Sequence, residues 1–201
     1  GIRNANSTAY ATVMRPDGKS EIFSSHALGG WSVQSQGTQD VLSEPLDANG
    51  NVTAEVLFVG ATHETETYSP AGQLLSISDQ SGQSMTFTYS TASTPSSAAP
   101  APGLLLTAVD PTGRMLSFTY DASSRIIAMG LPDGQSIGYT YDSNNNLVTV
   151  TYPGSTSRQY VYNEPSLVAT SIPTALTGVI DEAGVRYEST SYDGSARATQ
   201  S

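Results

Sequence analysis

Three tyrosines constrain this chain more than any other feature: Tyr120, Tyr141 and Tyr162 stand 21 residues apart, and the segments between them match in register. Asp121 aligns with Asp142, Ile126 with Leu147, Ile127 with Val148, Met129 with Val150 and Tyr139 with Tyr160. Another interval of 21 runs from Tyr68 to Tyr89, with Gly72 at its turn, Leu74, Leu75 and Ile77 apolar, and Phe87 two places before Tyr89. Tyr89 to Tyr120 is 31, which is 21 plus ten, and the surplus coincides with a Ser/Thr/Ala/Pro run. Four copies are visible. A fixed period of this size specifies a stack of similar units, each burying its apolar face on its neighbours.

The residues of one copy say what the unit is. Phe87-Thr-Tyr89, Phe118-Thr-Tyr120, Tyr139-Thr-Tyr141 and Tyr160-Val-Tyr162 put aromatics at i and i+2 around a β-branched residue. In a strand the two rings share one face and the middle residue takes the other. Turn-forming residues follow (Ser69–Gly72, Asp121–Ser124, Asp142–Asn145), and then a second strand on which Leu75 and Ile77, Ile127 and Met129, Val148 and Val150 share a face. The chain turns again at Asp79–Gly82, Asp110–Gly113, Pro132–Gly134 and Pro153-Gly154. Each copy is two strands and two turns, so the stack is a continuous antiparallel sheet with rows of Tyr and Phe on one face. Leu74, Ile126 and Leu147 fall one position before the second-strand face, so they either point to the opposite side or mark a bulge.

The expected fold is all-β, about four 21-residue repeats with flanking hairpins, in three stretches: opening hairpins at 1–59, repeats at 60–162, and a closing segment with a further partial repeat at 163–201. In the first stretch, Thr12–Met14 and Glu21–Phe23 read as a hairpin turning at Asp17-Gly18. Trp31–Val33 alternates as a half-buried strand, and Val41-Leu42 and Val56–Val59 suggest a strand pair around an Asp47–Gly50 turn. The Pro-rich run at 90–102 carries little apolar surface and reads as an exposed loop. No segment has helical periodicity.

Tyr-Asp followed by a turn and an aliphatic pair resembles the YD repeat of the Rhs proteins, which teneurins and insecticidal toxin-complex components share. The signature Y-D-x-x-G-R-L is kept in part: Gly72 supplies the glycine and Arg125 the basic residue, while Ser124 and Asn145 replace the glycine, and Ser69 and Asn163 the aspartate. The tail from Ala175 to Tyr187, with Tyr192-Asp193 and Arg197 after it, is similar to the segment that closes such a block. Arg15–Gly18, Gly30-Trp31 and Gly103–Leu106 are similar to its opening. The residues that carry the resemblance are Tyr68, Gly72, Phe87, Tyr89, Phe118, Tyr120, Asp121, Tyr139, Tyr141, Asp142, Tyr160, Tyr162, Tyr192 and Asp193. What it implies is a non-catalytic segment of a β-cocoon in a bacterial polymorphic toxin. The expected partners are the rest of the parent chain, the C-terminal toxin it encloses and secretion-spike proteins. Synthesis in the cytoplasm and delivery by type VI secretion are implied with them. A carbohydrate-binding or adhesion module, using the repeated aromatics to stack on sugars, is the competing reading.

Composition narrows the partners. The net charge is −10 and the isoelectric point near 4.3, against the basic patches that nucleic acid or an anionic membrane requires. There is no cysteine, hence no disulfide frame. Without a leader or an apolar run of spanning length, and broken off in mid-pattern after Arg197, the sequence reads as a segment of a larger protein whose open strand edges favour self-association.

Candidate chemistry is thin, and no catalytic, cofactor or metal residue is expected. His26 and His63 are 37 residues apart without ligand-spaced neighbours. Glu64 and Glu66 share a strand face and read as solvated carboxylates rather than a glycosidase pair. Asp142–Asn146 resembles the start of a calcium loop but lacks its glycine and terminal glutamate. Asp110-Pro-Thr-Gly113 matches the D-P-x-G motif at which Rhs proteins release their toxin, yet it aligns with the ordinary turn at Asp79–Gly82.

Overall fold

The computed structural model describes residues 9–200 apart from 16, 27, 28 and 36. Pro16, in the expected turn at Asp17-Gly18, and the first eight residues of the opening stretch lie outside them. The described residues contain no helix and, as expected, form an all-β protein. Three strands make a small antiparallel sheet: β1 (Tyr10–Met14), β2 (Ser20–Ser25) and β3 (Trp31–Val33). The next thirteen follow in strict chain order in one open antiparallel sheet. They are β4 (Val41–Ser43), β5 (Glu55–Val59), β6 (Glu64–Tyr68), β7 (Leu74–Ser78), β8 (Ser84–Tyr89), β9 (Leu105–Val109), β10 (Met115–Tyr120) and β11 (Ile126–Gly130). After them come β12 (Ser136–Tyr141), β13 (Leu147–Thr151), β14 (Ser157–Tyr162), β15 (Leu176–Ile180) and β16 (Arg186–Ser189). A last hairpin pairs β17 (Ser191–Tyr192) with β18 (Ala198–Gln200).

The chain divides into two compact units, one running to Thr88 and including Ala108–Arg114, the other comprising Tyr89–Thr107 and Met115 onward. In the first, the small sheet lies against β4 and β5. Phe23 and Leu57 are fully buried, Leu42 and Val59 join them, and Val13, Trp31, Val33 and Tyr68 pack around this core. Alternation explains the choice: Ile22 and Ser24 leave the face that Phe23 occupies, and burying such a side chain contributes about 2–3 kcal/mol. Gly60, after β5, is required by close approach, because a Cβ there would overlap the Cβ of Gln39.

One turn serves nearly every hairpin. At Asp121 the main-chain N–H donates to the Arg125 carbonyl, the Ser124 N–H donates back to the Asp121 carbonyl, and Ser124 sits at φ 61°. The same pair of bonds, with the fourth residue left-handed, recurs from Asp47, Ser69, Asp79, Asp110, Leu131, Asp142, Asp181 and Asp193. This is a type I turn closed by a left-handed residue, which glycine fills best and which Ser124, Asn145 and Ala196 fill here. The replacement of the signature glycine by Ser124 and Asn145 therefore leaves the backbone path unchanged.

The two alternatives for Leu74, Ile126 and Leu147 resolve as a bulge. Pairing steps from Thr119↔Ala128 to Tyr120↔Ile126, leaving Ile127 as the extra residue. The same shift occurs at Leu75, at Val148 and, in the closing segment, at Thr177.

The run at 90–102 departs from a simple exposed loop. Thr91–Ser93 and Pro95–Ser97 are exposed, but Ser90 and Ala99 are buried, at 4% and 2% exposure. The Ser90 hydroxyl bonds the Ala101 carbonyl and accepts from the Leu104 N–H, closing the loop's neck, while the Ala98 carbonyl accepts the Tyr120 N–H. Small side chains let the segment dock through its backbone, which an apolar count cannot register.

Candidate functional site

The repeat itself is the candidate site, and its centre is the second tyrosine of each aromatic pair. The ladder between β11 and β12 runs from Gly130↔Ser136 to Ala128↔Gly138. Beyond it the Ile126 carbonyl has passed the bulge, and the Tyr141 hydroxyl donates to it at 2.8 Å. Tyr120 bonds the Leu105 carbonyl at 2.7 Å, Tyr162 the Leu147 carbonyl at 2.9 Å and Tyr192 the Leu176 carbonyl at 3.1 Å. Each phenol thus satisfies a main-chain acceptor at the end of a ladder, contributing about 0.5–1.5 kcal/mol per bond. Burial pushes the phenols of Tyr89, Tyr120, Tyr141 and Tyr162 above their ordinary pKa, keeping them protonated as donors.

The aspartates serve the turns. Asp121 Oδ1 accepts the N–H groups of Ser123 and Arg125, and Oδ2 pairs with the Arg125 guanidinium at 2.6 Å. Arg125 also donates to Asn145 Oδ1 and lies 4.6 Å above the Tyr141 ring, joining two successive copies through one side chain. Asp142 repeats the arrangement with Asn144 and Asn146, and Asp193 with Ser195 and Arg197. Hydrogen bonds from these neighbours hold all three carboxyls below the ordinary range; at Asp142 they outweigh an opposing burial effect. The oxygens of Asp142 are engaged by the turn's own donors. Asp110 is held well below the ordinary range by the Thr112 hydroxyl and Arg114, in the same turn as Asp79.

The remaining singled-out residues lie on strands and turns of the sheet. Phe118 stands opposite Met129, and Tyr139 opposite Val150. Tyr160 stands opposite Val179, and all three aromatics are part-buried. Phe87 and Tyr89 lie on β8, part-buried on either side of exposed Thr88. Gly72 closes the Ser69 turn at φ 83°. Tyr68 departs from the series: its hydroxyl donates to Glu66 Oε2 at 2.5 Å.

Glu66 is a correction. It is 9% exposed rather than on a solvated face, because β6 is covered by the small sheet, and it pairs with Arg15 at 2.8 Å. Burial first, and then the bond to Glu66, raises the Tyr68 phenol far above its usual value. Beside this group lies a cavity of about 800 Å³ bordered by Glu21, Asp40 and Gly60. Burial, and next its bond to Asp40, raises the Glu21 carboxyl. Burial also opposes ionisation of Asp40, but the Gly60 N–H, at 2.7 Å, and the bond to Glu21 outweigh it and lower that carboxyl. His26 bonds the Ser32 hydroxyl, and His63 sits edge-on to Phe58. Among the described residues no cluster of three or more His, Cys, Asp or Glu is arranged for a metal ion.

Residue spacing alone does not reveal the hydroxyl-to-carbonyl bonds. A signal was present: the first aromatic of a pair is Phe or Tyr, whereas the second is always the one with a hydroxyl. A second cluster was also missed. Glu164 receives the Arg186 guanidinium, and the buried Thr177 hydroxyl lies 2.8 Å from Glu164 Oε2.

The period, the bulge and the tyrosine bond define an antiparallel sheet built from one repeated hairpin unit. The family model of the RHS Repeat matches residues 103–136 and 125–157, so this stretch carries the sequence pattern of that repeat. No curated protein matches it. Among solved structures, the crystal structure of TcdB2-TccC3-Cdc42 is similar at 17% identity and TM-score 0.49, over 95% of this chain and 10% of that one. The crystal structure of TcdB2-TccC3-TEV is similar at 12% identity and TM-score 0.37, over 94% of this chain and 11% of that one. The chain spans about a tenth of the length of each.

Proposed function

We propose that this chain is a non-catalytic segment of the wall of an Rhs-type shell, and that the shell encloses a C-terminal toxin domain of the parent protein. The observation that carries the reading is the recurrence of the tyrosine bond and the bulge from copy to copy. Four ladders are tied in the same way, through Tyr120, Tyr141, Tyr162 and Tyr192. The signature residues from Tyr68 to Asp193 act in this reading as wall fasteners, and the expected partners are the rest of the wall, the enclosed domain and the spike that delivers it. Assembly in a bacterial cytoplasm and export by type VI secretion belong to the same proposal.

The sugar-binding reading is less well supported. The tyrosine hydroxyls a sugar would need are committed to main-chain carbonyls, and Arg125 already lies over the Tyr141 ring.

Limited proteolysis of the intact parent protein tests the proposal. Tyr141→Ala should open the wall near residues 140–150 and expose the enclosed domain to protease, while Thr140→Ala, on the exposed side of β12, should behave as wild type. Unchanged protection together with lost binding to a glycan would overturn enclosure in favour of adhesion.

A further inference from the structure

Asn49 and Gly50 form the one Asn-Gly step of the sequence, at the third and fourth positions of the Asp47 turn. Two other turns carry an acidic residue in the third position before a left-handed glycine, and both tie it down. Asp133 accepts from the N–H and the side-chain amide of Gln135. Asp17 accepts the Lys19 N–H and pairs with its ammonium at 2.8 Å. In the Asp47 turn the N–H and side-chain amide of Asn51 go to Asp47 instead, and among the described residues no hydrogen bond holds the Asn49 side chain. Asn144 fills the same slot of the Asp142 turn, but Asn145 follows it in place of glycine. The Asp47 tip is also lightly held. Residues 45–51 are all exposed, and the tip joins the sheet through the bridge Leu46↔Val52 and the bond from the Thr53 N–H to the Pro45 carbonyl. The β4–β5 ladder begins only at Ser43↔Val56, whereas the Asp142 turn closes directly on its ladder at Tyr141↔Leu147. A type I turn holds its third residue at ψ of about 0°, and the Gly50 N–H donates to the Asp47 carbonyl at 3.0 Å. Reaction at this step therefore waits on local opening, which costs little at such a tip.

We propose that Asn49 is a site of spontaneous covalent modification, converting through a cyclic imide to aspartate and isoaspartate with water as the only co-reactant. The Gly50 nitrogen gives its proton to a base and attacks Asn49 Cγ. The N–Cγ bond forms, the Cγ–Nδ2 bond breaks, and Nδ2 takes up a proton and leaves as ammonia. Glycine permits the attack because no Cβ crowds its nitrogen. Water then opens the ring. Opening at Cγ gives aspartate, and opening at the main-chain carbonyl gives isoaspartate, whose backbone runs through Cβ and is one methylene longer. The fold accepts the first product, since aspartate already occupies this slot at Asp17 and Asp133. The second puts an extra atom into the loop that the Gly50–Asp47 bond closes, so the turn and its Leu46↔Val52 bridge are lost. The inference stands on this turn and does not depend on what the wall encloses.

The experiment holds the full 201-residue chain folded in neutral and in mildly alkaline buffer, beside the same chain in urea, and maps its peptides by mass. A gain of one mass unit should appear at Asn49 in the folded chain, faster at the higher pH and ahead of Asn144, and should vanish in Asn49→Gln. The isoaspartate form, isolated by chromatography, should lose amide-exchange protection at residues 46–53 while Val41–Ser43 and Val56–Phe58 keep theirs. Asn49→Asp should match the unaltered chain throughout. No gain at Asn49 by the time the chain in urea has converted would overturn the proposal, because the turn would then protect the step. So would conversion of Asn144 at an equal rate, a rate indifferent to pH, or unchanged protection at residues 46–53 in the isoaspartate form. Loosening in Asn49→Asp as large as in the isoaspartate form would overturn it too.

Discussion

The phenol of Tyr141 and the carbonyl of Ile126, 15 residues upstream, are joined at 2.8 Å at the end of the β11–β12 ladder, just beyond the residue, Ile127, that bulges in the pairing of β11 with β10. The bulge adds a residue and leaves a main-chain acceptor past the last regular pair. The tyrosine bond satisfies it, so the irregularity and its remedy recur together.

Tyr141→Phe isolates that bond. It should cost about 1 kcal/mol, and Tyr141→Ala about 2–3, below the value for a fully buried ring because Tyr141 is only part-buried. Arrays of repeats need not unfold in one step. Amide hydrogen exchange is therefore the measurement, and protection should fall at residues 126–128 and 138–141 before it falls elsewhere.

Part of this was legible in the sequence. The intervals between tyrosines specified the strands, their order and the face each ring takes, because a two-residue strand period leaves no freedom once the turns are placed. The bulge was half legible: Leu74, Ile126 and Leu147 were out of phase, but phase alone does not say which residue is extra. Glu66 was misread because its cover, the small sheet, is assembled from residues some 50 positions earlier, as Arg15 shows. Local alternation cannot see that distance.

Ser124 holds a left-handed conformation that costs an L-residue about 1 kcal/mol, and no side-chain bond compensates for it among the described contacts. Ser124→Gly should stabilise the chain by about 0.5–1 kcal/mol. Gly134→Ala, at φ 82° in the equivalent slot of the next turn, should destabilise it by a similar amount. Thermal melting of the two variants side by side checks the signs.

The pair of Arg15 and Glu66 is largely buried, so removing one partner leaves a charge without compensation. Glu66→Ala should cost about 3 kcal/mol, while Arg15→Met with Glu66→Leu should recover most of it. Denaturant midpoints of the three chains measure the difference.

Tyr68 should be the last phenol to ionise. Its pKa in the fold is raised above the ordinary 10, first by burial and then by Glu66. Its contribution to stability is therefore complete below that value and is lost as the pH climbs through the raised one. Phenolate absorbance followed upward in pH should show one tyrosine that resists until the fold opens, and Tyr68→Phe should remove that component.

Gly178 lies under the Arg186 guanidinium, where a Cβ would overlap it. Gly178→Ala should push the arginine off Glu164 and speed hydrogen exchange in β16 without affecting β10 to β13.

The turns on the side away from the tyrosines are short in every copy, as at Asp79–Gln83, Leu131–Gln135 and Asp181–Val185. The long connections, 90–104 and 163–175, both enter directly after a tyrosine, and the strand that follows each, β9 or β15, still offers the carbonyl of its first residue to a tyrosine hydroxyl. The protein therefore has one margin at which sequence can be added without altering the fabric and another at which it cannot. A foreign peptide spliced between Ser96 and Ser97 would be carried as a passenger, whereas the same peptide spliced into the Leu131–Gln135 turn would tear the weave.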